Sequence, residues 1–145
     1  MPVTDDQVAA LRALLVDDQD RYRQLFGQLD RAEARTGYPA LVTAAFGEAV
    51  EQRFSQRYQS ADVVAFVADV RARSDRLAAQ LDPDAAERAI NAVLGHASTR
   101  DLDRESVTRA KLVLLAALVA DARLDGAALD EFLAAARKLA DQLMS

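Results

Sequence analysis

Between Ser106 and Arg123 the usual alternation of polar and apolar turns disappears, and Leu112 to Ala120 are nine apolar residues in succession. A helix that is apolar on every side belongs inside a core. Nine residues rise about 13 Å as helix, whereas a membrane span takes roughly 20 residues. Lys111 and Asp121 close the run at its two ends. Leu and Ala outnumber the β-branched residues within it, and helix formers flank it on both sides. The segment is therefore expected to be a buried central helix over 106–123 rather than a strand.

The same reading places the other elements. Thr4 with Gln7 is a capping-box signature, so a helix starts at Asp5. Its apolar residues, Val8, Leu11, Leu15, Tyr22, Leu25, Phe26 and Leu29, skip one turn where Asp17, Asp18 and Asp20 fall. One long helix over 5–35 is expected, the alternative being a second helix capped by Asp17. Thr36-Gly37-Tyr38-Pro39 is the next break, with Gly37 suited to a left-handed position after a helix and Pro39 to the first turn of another. That helix runs over 40–58 with an inward stripe of Leu41, Val42, Ala45, Phe46, Val50 and Phe54.

Ser60 reads as the N-cap of a helix over 61–81, whose stripe is Val63, Phe66, Val67, Val70, Leu77 and Leu81. Asp82-Pro83 and Gly95 frame a short helix with Ala86, Ala89, Ile90, Val93 and Leu94 inward. His96 to Asp101 is irregular, and Ser98, Asp101 or Asp103 caps the central helix. Asp125 caps a last helix carrying Leu129, Phe132, Leu133, Ala136, Leu139 and Leu143. The fold class is all-α, a compact bundle of about six helices forming a single domain over 1–145.

Displacing the chain by 66 residues lays Phe66-Val-Ala-Asp-Val-Arg71 over Phe132-Leu-Ala-Ala-Ala-Arg137, and Asp75 and Leu77 over Asp141 and Leu143. In that register the helix pairs 40–81 and 106–144 are copies of one hairpin. Chance matching between amphipathic helices rich in alanine and arginine is the competing account.

Composition removes several chemistries. With no cysteine there is no thiol nucleophile and no thiolate metal site. His96 is the only histidine, so neither a histidine pair nor a Glu-x-x-His ligand pair exists. Asp121-Ala-Arg-Leu-Asp125-Gly126 resembles a calcium loop only in outline, because Arg123 and Phe132 stand where oxygen ligands belong. A helix–helix turn explains it. Ser98 and Ser106 lack a nucleophile elbow, and five scattered glycines build no phosphate loop. No catalytic, cofactor-binding or metal-ligating residue is assigned, and no cofactor is expected.

A net charge of −5 opposes nonspecific attraction to nucleic acid. The densest basic and aromatic stretch, Arg53-Phe54-Ser55-Gln56-Arg57-Tyr58 backed by Arg71, Arg73 and Arg76, is interrupted by Glu51, Asp62, Asp69 and Asp75. Asp17 with Arg21, Asp69 with Arg73, Asp84 with Arg88, and Glu105 with Arg109 are i,i+4 pairs suited to solvated helix faces. The N-terminus, Met-Pro-Val-Thr-Asp-Asp, has neither the basic start nor the apolar run of a signal peptide.

Ala61-Asp-Val-Val-Ala-Phe-Val-Ala-Asp-Val-Arg71, Asp82-Pro-Asp-Ala-Ala-Glu-Arg88, Ala110-Lys-Leu-Val-Leu-Leu115 and Leu129-Asp-Glu-Phe-Leu-Ala134 make the chain similar to small all-helical proteins of actinobacteria that carry no assigned activity. The resemblance covers residues 61–140 and rests on core and capping patterns. It implies a helical fold and a bacterial cytoplasmic setting, and implies nothing about a site. The function expected is that of a noncatalytic protein–protein interaction or regulatory module, with a nucleic-acid-binding regulator and an enzyme or small-ligand binder as alternatives. Partners are another protein or a second copy. The homodimer is suggested by apolar residues beyond a single stripe, notably Leu14, Val16 and Phe26 in the first helix and Leu41, Val42, Phe46 and Val50 in the second. Membrane binding is not expected, and nucleic-acid binding is less expected than protein binding.

Overall fold

The structure is a computed structural model that describes residues 2–54 and 58–144, with the side chains of Glu33 and Ala34 also outside the description. Ser55, Gln56 and Arg57, in the expected end of helix 40–58 and in the basic stretch, lie outside the described residues. The fold is all-α, and no strand occurs among the described residues. They form eight α-helices instead of about six: α1 (Asp5–Leu15), α2 (Gln19–Gln28), α3 (Tyr38–Arg53), α4 (Ser60–Ala72), α5 (Asp75–Gln80), α6 (Pro83–Val93), α7 (Arg104–Asp121) and α8 (Gly126–Met144), with a π-helical turn (Glu33–Gly37) ahead of α3. Two compact units result, one of Met1–Glu48 with Val119–Ser145 and one of Ala49–Leu118.

In the first unit α1 opens on the expected capping box: Thr4 Oγ1 accepts from the Gln7 N–H at 3.3 Å, and Gln7 Oε1 accepts from the Thr4 N–H at 2.9 Å. The long helix over 5–35 is not formed. Asp17 adopts a left-handed φ of 60° and ends α1, and the carboxylate of Asp18 accepts from the Arg21 N–H to cap α2. Short acidic side chains compete for backbone N–H groups, so consecutive aspartates at the skipped turn favour a break over a continuous helix. α1 packs on α2 and on α8. Arg12 pairs with Asp130, Arg137 with Asp5, and the Val3 N–H donates to Asp141.

Gly37 is not left-handed as expected; it lies in the π-helical turn, where a Cβ would come within 2.7 Å of Gln7 Oε1. Its missing side chain makes room for Gln7, a buried polar residue of the core. Pro39 does fall in the first turn of α3. On α8, Leu129, Phe132, Leu133, Ala136 and Ala140 are buried, while Leu139 is half-buried and Leu143 is 62% exposed. The buried row thus ends on the small Ala140 and not on Leu143.

In the second unit the helix expected over 61–81 is divided. Ser74 is extended (φ −161°), and its hydroxyl accepts from the Leu77 N–H at 3.0 Å, capping α5. Ser60 is the first helical residue rather than the cap; Gln59 holds the cap position, and its N–H donates to Asp62 Oδ2 at 2.7 Å. Val63, Phe66, Val67, Val70 and Leu81 are buried as expected. Arg71 reaches across the break and donates to the carbonyls of Leu81 (2.9 Å) and Ala78 (3.2 Å), which closes the C-terminus of α5.

α4 packs against both α5 and α6. Asp82 accepts from the Ala85 N–H at 2.8 Å with Pro83 at the first helical position, and Gly95 (φ +83°) follows the helix, as the sequence requires. Asp103, one of three candidates, caps α7 by accepting from both the backbone N–H and the hydroxyl of Ser106 at 3.0 Å.

The central helix is only in part what its composition suggests. Leu114, Leu115, Ala117, Leu118 and Val119 are buried, but Leu112, Val113 and Ala116 are half-buried and Ala120 is exposed. Its first two turns are open to solvent along one side.

Candidate functional site

The residues weighed for chemistry do not assemble. His96 is exposed, and its ring neighbour is Tyr58 at 6.2 Å; Ser106 is bound to Asp103, and the Ser98 hydroxyl accepts from the Arg100 N–H. Arg123 adopts φ 56° in the turn before α8, so the supposed calcium loop is a helix–helix connection. Among the described residues no group of three or more His, Asp or Glu could hold a metal ion, and no helix is long and apolar enough to cross a membrane.

Most of the described arginines of the basic stretch are engaged. Arg53 lies over the rings of Phe54 (5.6 Å) and Phe66 (5.5 Å), Arg71 caps α5, and Arg73 pairs with Asp69 at 2.8 Å. Arg88 is a clamp: it holds Asp101 at 2.6 Å and the Ser98 carbonyl at 2.7 Å, with Asp84 at 3.8 Å, and so ties the irregular segment to α6. The hydrogen bond to Asp101 raises the Arg88 pKa, and the reciprocal bond lowers that of Asp101. A small polar cleft of about 220 Å³ lies beside Arg71, Leu81, Asp82, Ser106 and Arg109, but its cationic groups are already held by the α5 carbonyls and by Glu105.

Along the exposed side of α7 runs an open groove of about 640 Å³, lined by Asp103, Arg104, Glu105, Thr108, Arg109 and Leu112. Arg104, Thr108 and Leu112 are four residues apart and form one row along the helix. Thr108 and the half-buried Leu112 supply a mostly apolar floor.

The two edges of that floor differ. Glu105 and Arg109 neutralise one another at 3.3 Å on one edge. On the other edge stands the exposed Arg104, whose side chain has no hydrogen-bonding or ion-pair partner among the described residues; Lys111, further along α7, is half-buried outside the groove. Burial alone lowers the Lys111 pKa, as expected of a half-buried ammonium with no carboxylate beside it.

Sequence reasoning placed Leu112 wholly inside and singled out none of this groove. The available signal was the polar row Arg104 and Thr108 leading into Leu112. Its meaning depends on whether a neighbouring helix covers that row, which no local pattern records.

Most of the apolar surplus expected to pair with a second copy is covered within the chain. Leu41, Val42, Phe46 and Val50 are buried by the chain itself. Phe26 packs edge-to-face on Tyr38 at 5.2 Å and beside Tyr22 at 5.5 Å. Of the arc thought to be in surplus, Val16 stays exposed at 46% and Leu14 half-buried.

Comparison with protein-family models, with curated proteins and with solved structures finds no match to this chain.

Proposed function

We propose that the protein is a noncatalytic protein–protein interaction module, and that its docking surface is the groove along α7, which receives an amphipathic helix of another protein. The observation that carries this reading is the groove itself: a mostly apolar floor of Thr108 and Leu112 flanked by the mutually neutralised Glu105 and Arg109 and by the exposed Arg104. A helix laid in a groove is recognised through apolar residues at i, i+3, i+4 and i+7, and α7 presents a surface of matching length. The resemblance to small actinobacterial proteins supports a bacterial cytoplasmic setting for that interaction.

A synthetic amphipathic helical peptide titrated into ¹⁵N-labelled protein tests the reading. Amide shifts should concentrate on residues 103–112 and vanish in Leu112→Asp, whose fold is checked by circular dichroism. Shifts confined to other helices, or none at millimolar peptide, would remove α7 as the docking surface.

A further inference from the structure

α2 is held differently from the helices beside it in the first unit. α1, α3 and α8 bury whole side chains, among them Leu11, Phe46 and Leu133, whereas no residue of α2 is buried. Tyr22, Leu25 and Phe26 are half-buried, and the other residues of α2 are exposed. A helix of ten residues is too short to persist in water by itself, so α2 stays formed only while its apolar side rests on α1 and on Tyr38 of α3.

The two ends of α2 are suited to movement. Asp17 takes φ 60°, which strains a residue other than glycine, and Leu29 leaves the helix in extended conformation with φ −68° and ψ 137°. Beyond these ends the chain is fixed. Arg12 with Asp130 and Arg137 with Asp5 pin α1 to α8, and Gly37 is packed on the buried Gln7. Residues 18–30 are thus a strap between two anchored points.

What the strap covers is an imperfect fit for a dry site. Phe26 lies edge-on against Tyr38 at 5.2 Å, Tyr22 lies beside Phe26 at 5.5 Å, and Tyr38 is left 5% exposed. The Tyr38 ring gains apolar contact. Its hydroxyl, with no hydrogen-bond partner among the described residues, gives up the water it would bond in the open. The two effects oppose each other on one side chain, and they weaken the hold on α2 without touching the buried rows of α1 and α8.

We infer that α2 is a lid: residues 18–30 detach as one unit between Asp17 and Leu29, uncovering Tyr38 while α1, α3 and α8 remain folded. The device presents the Tyr38 ring, together with the Phe26 and Tyr22 rings that cover it, to solvent in the open state alone. It is independent of the reading of α7 as a docking surface.

Native-state amide exchange of the full chain at a series of low urea concentrations tests the lid. Corrected for intrinsic rates, the amides of α2 should open together and be at least about tenfold less protected than those of α1, α3 and α8, with the weak urea dependence of an event that exposes little surface. Tyr38→Phe keeps the ring and removes the unpaired hydroxyl, so protection of α2 should rise about threefold to tenfold. Phe26→Ala removes the ring that α2 sets on Tyr38 and should lower protection of α2 by about tenfold. Protection of α2 equal to that of α1, with the same urea dependence, would show that α2 opens only when the whole unit does and would overturn the lid. Low protection that neither substitution moves would mean that α2 frays without uncovering Tyr38, and a loss of protection in Tyr38→Phe would mean that the hydroxyl holds α2 down; either result removes the inference.

Discussion

Replacing Gly37 by alanine probes the most confined contact of the first unit. The added Cβ would lie 2.7 Å from Gln7 Oε1 and 2.9 Å from its Cδ, so the glutamine amide must move. Gln7 is only 2% exposed, and the atom displaced is the one that accepts from the Thr4 N–H. Losing that capping bond and leaving a buried amide poorly paired costs about 2–3 kcal/mol. Replacing glycine by alanine in helical conformation returns about 1 kcal/mol, because Gly37 does not need a positive φ. The net expectation is a loss of about 1–2 kcal/mol, or roughly 3–6 °C in Tm for a chain of this size. Gly27→Ala is the internal control: it lies in the last turn of α2 with open space where its Cβ would go, and should be neutral or gain up to about 0.5 kcal/mol, less than at a helix interior. Urea denaturation of both variants, and of Gly37→Ala in a Gln7→Ala background, measures the effect. The double variant should lose less than the sum of the single ones. A neutral or stabilising Gly37→Ala, or strictly additive losses, would show that the glutamine does not depend on the glycine.

Leu115→Asp buries a carboxylate in the fully buried part of α7 and should cost about 4 kcal/mol in denaturant melts; a Tm within a degree of wild type would contradict that burial. Among the described residues the buried Tyr38 hydroxyl has no hydrogen-bond partner, and its phenol is held well above the ordinary range first by burial and then by Tyr22 beside it. Tyr38→Phe should therefore be neutral or stabilising by about 1 kcal/mol, and a clear loss of stability would show that the hydroxyl is satisfied. Arg88→Ala should speed amide exchange over residues 96–103 and leave α8 unchanged. Because the Asp101 pKa is lower folded than unfolded, its contribution is present above the unfolded carboxylate value and is lost as pH falls through the folded one. Protection of that segment should thus decline on acidification in wild type and show no such step in Arg88→Ala.

The elements with strong local chemistry were legible in the sequence. The Thr4 and Gln7 box, the Asp82-Pro83 start, Gly95 after α6, and the buried rows Val63, Phe66, Val67, Val70 and Leu129, Phe132, Leu133, Ala136 depend on neighbours three or four residues away, so periodicity and cap preference determine them. The breaks at Asp17 and Ser74 were also written locally, as turn-forming residues at weak points of apolar stripes, but a stripe that resumes after the break hides them. Tertiary structure alone decided the rest. Gly37 is set by the side chain of Gln7, thirty positions away, and the apparent surplus on α3 is buried by the chain itself, so the pattern that suggested a second copy of the protein describes an intramolecular core. Leu112 and Phe46 illustrate the limit most directly. Both sit on helices rich in apolar residues and both were expected inside; Phe46 is buried, while Leu112 floors an open groove. Hydrophobicity records what a residue gains from being covered, and whether anything covers it is fixed by segments far along the chain.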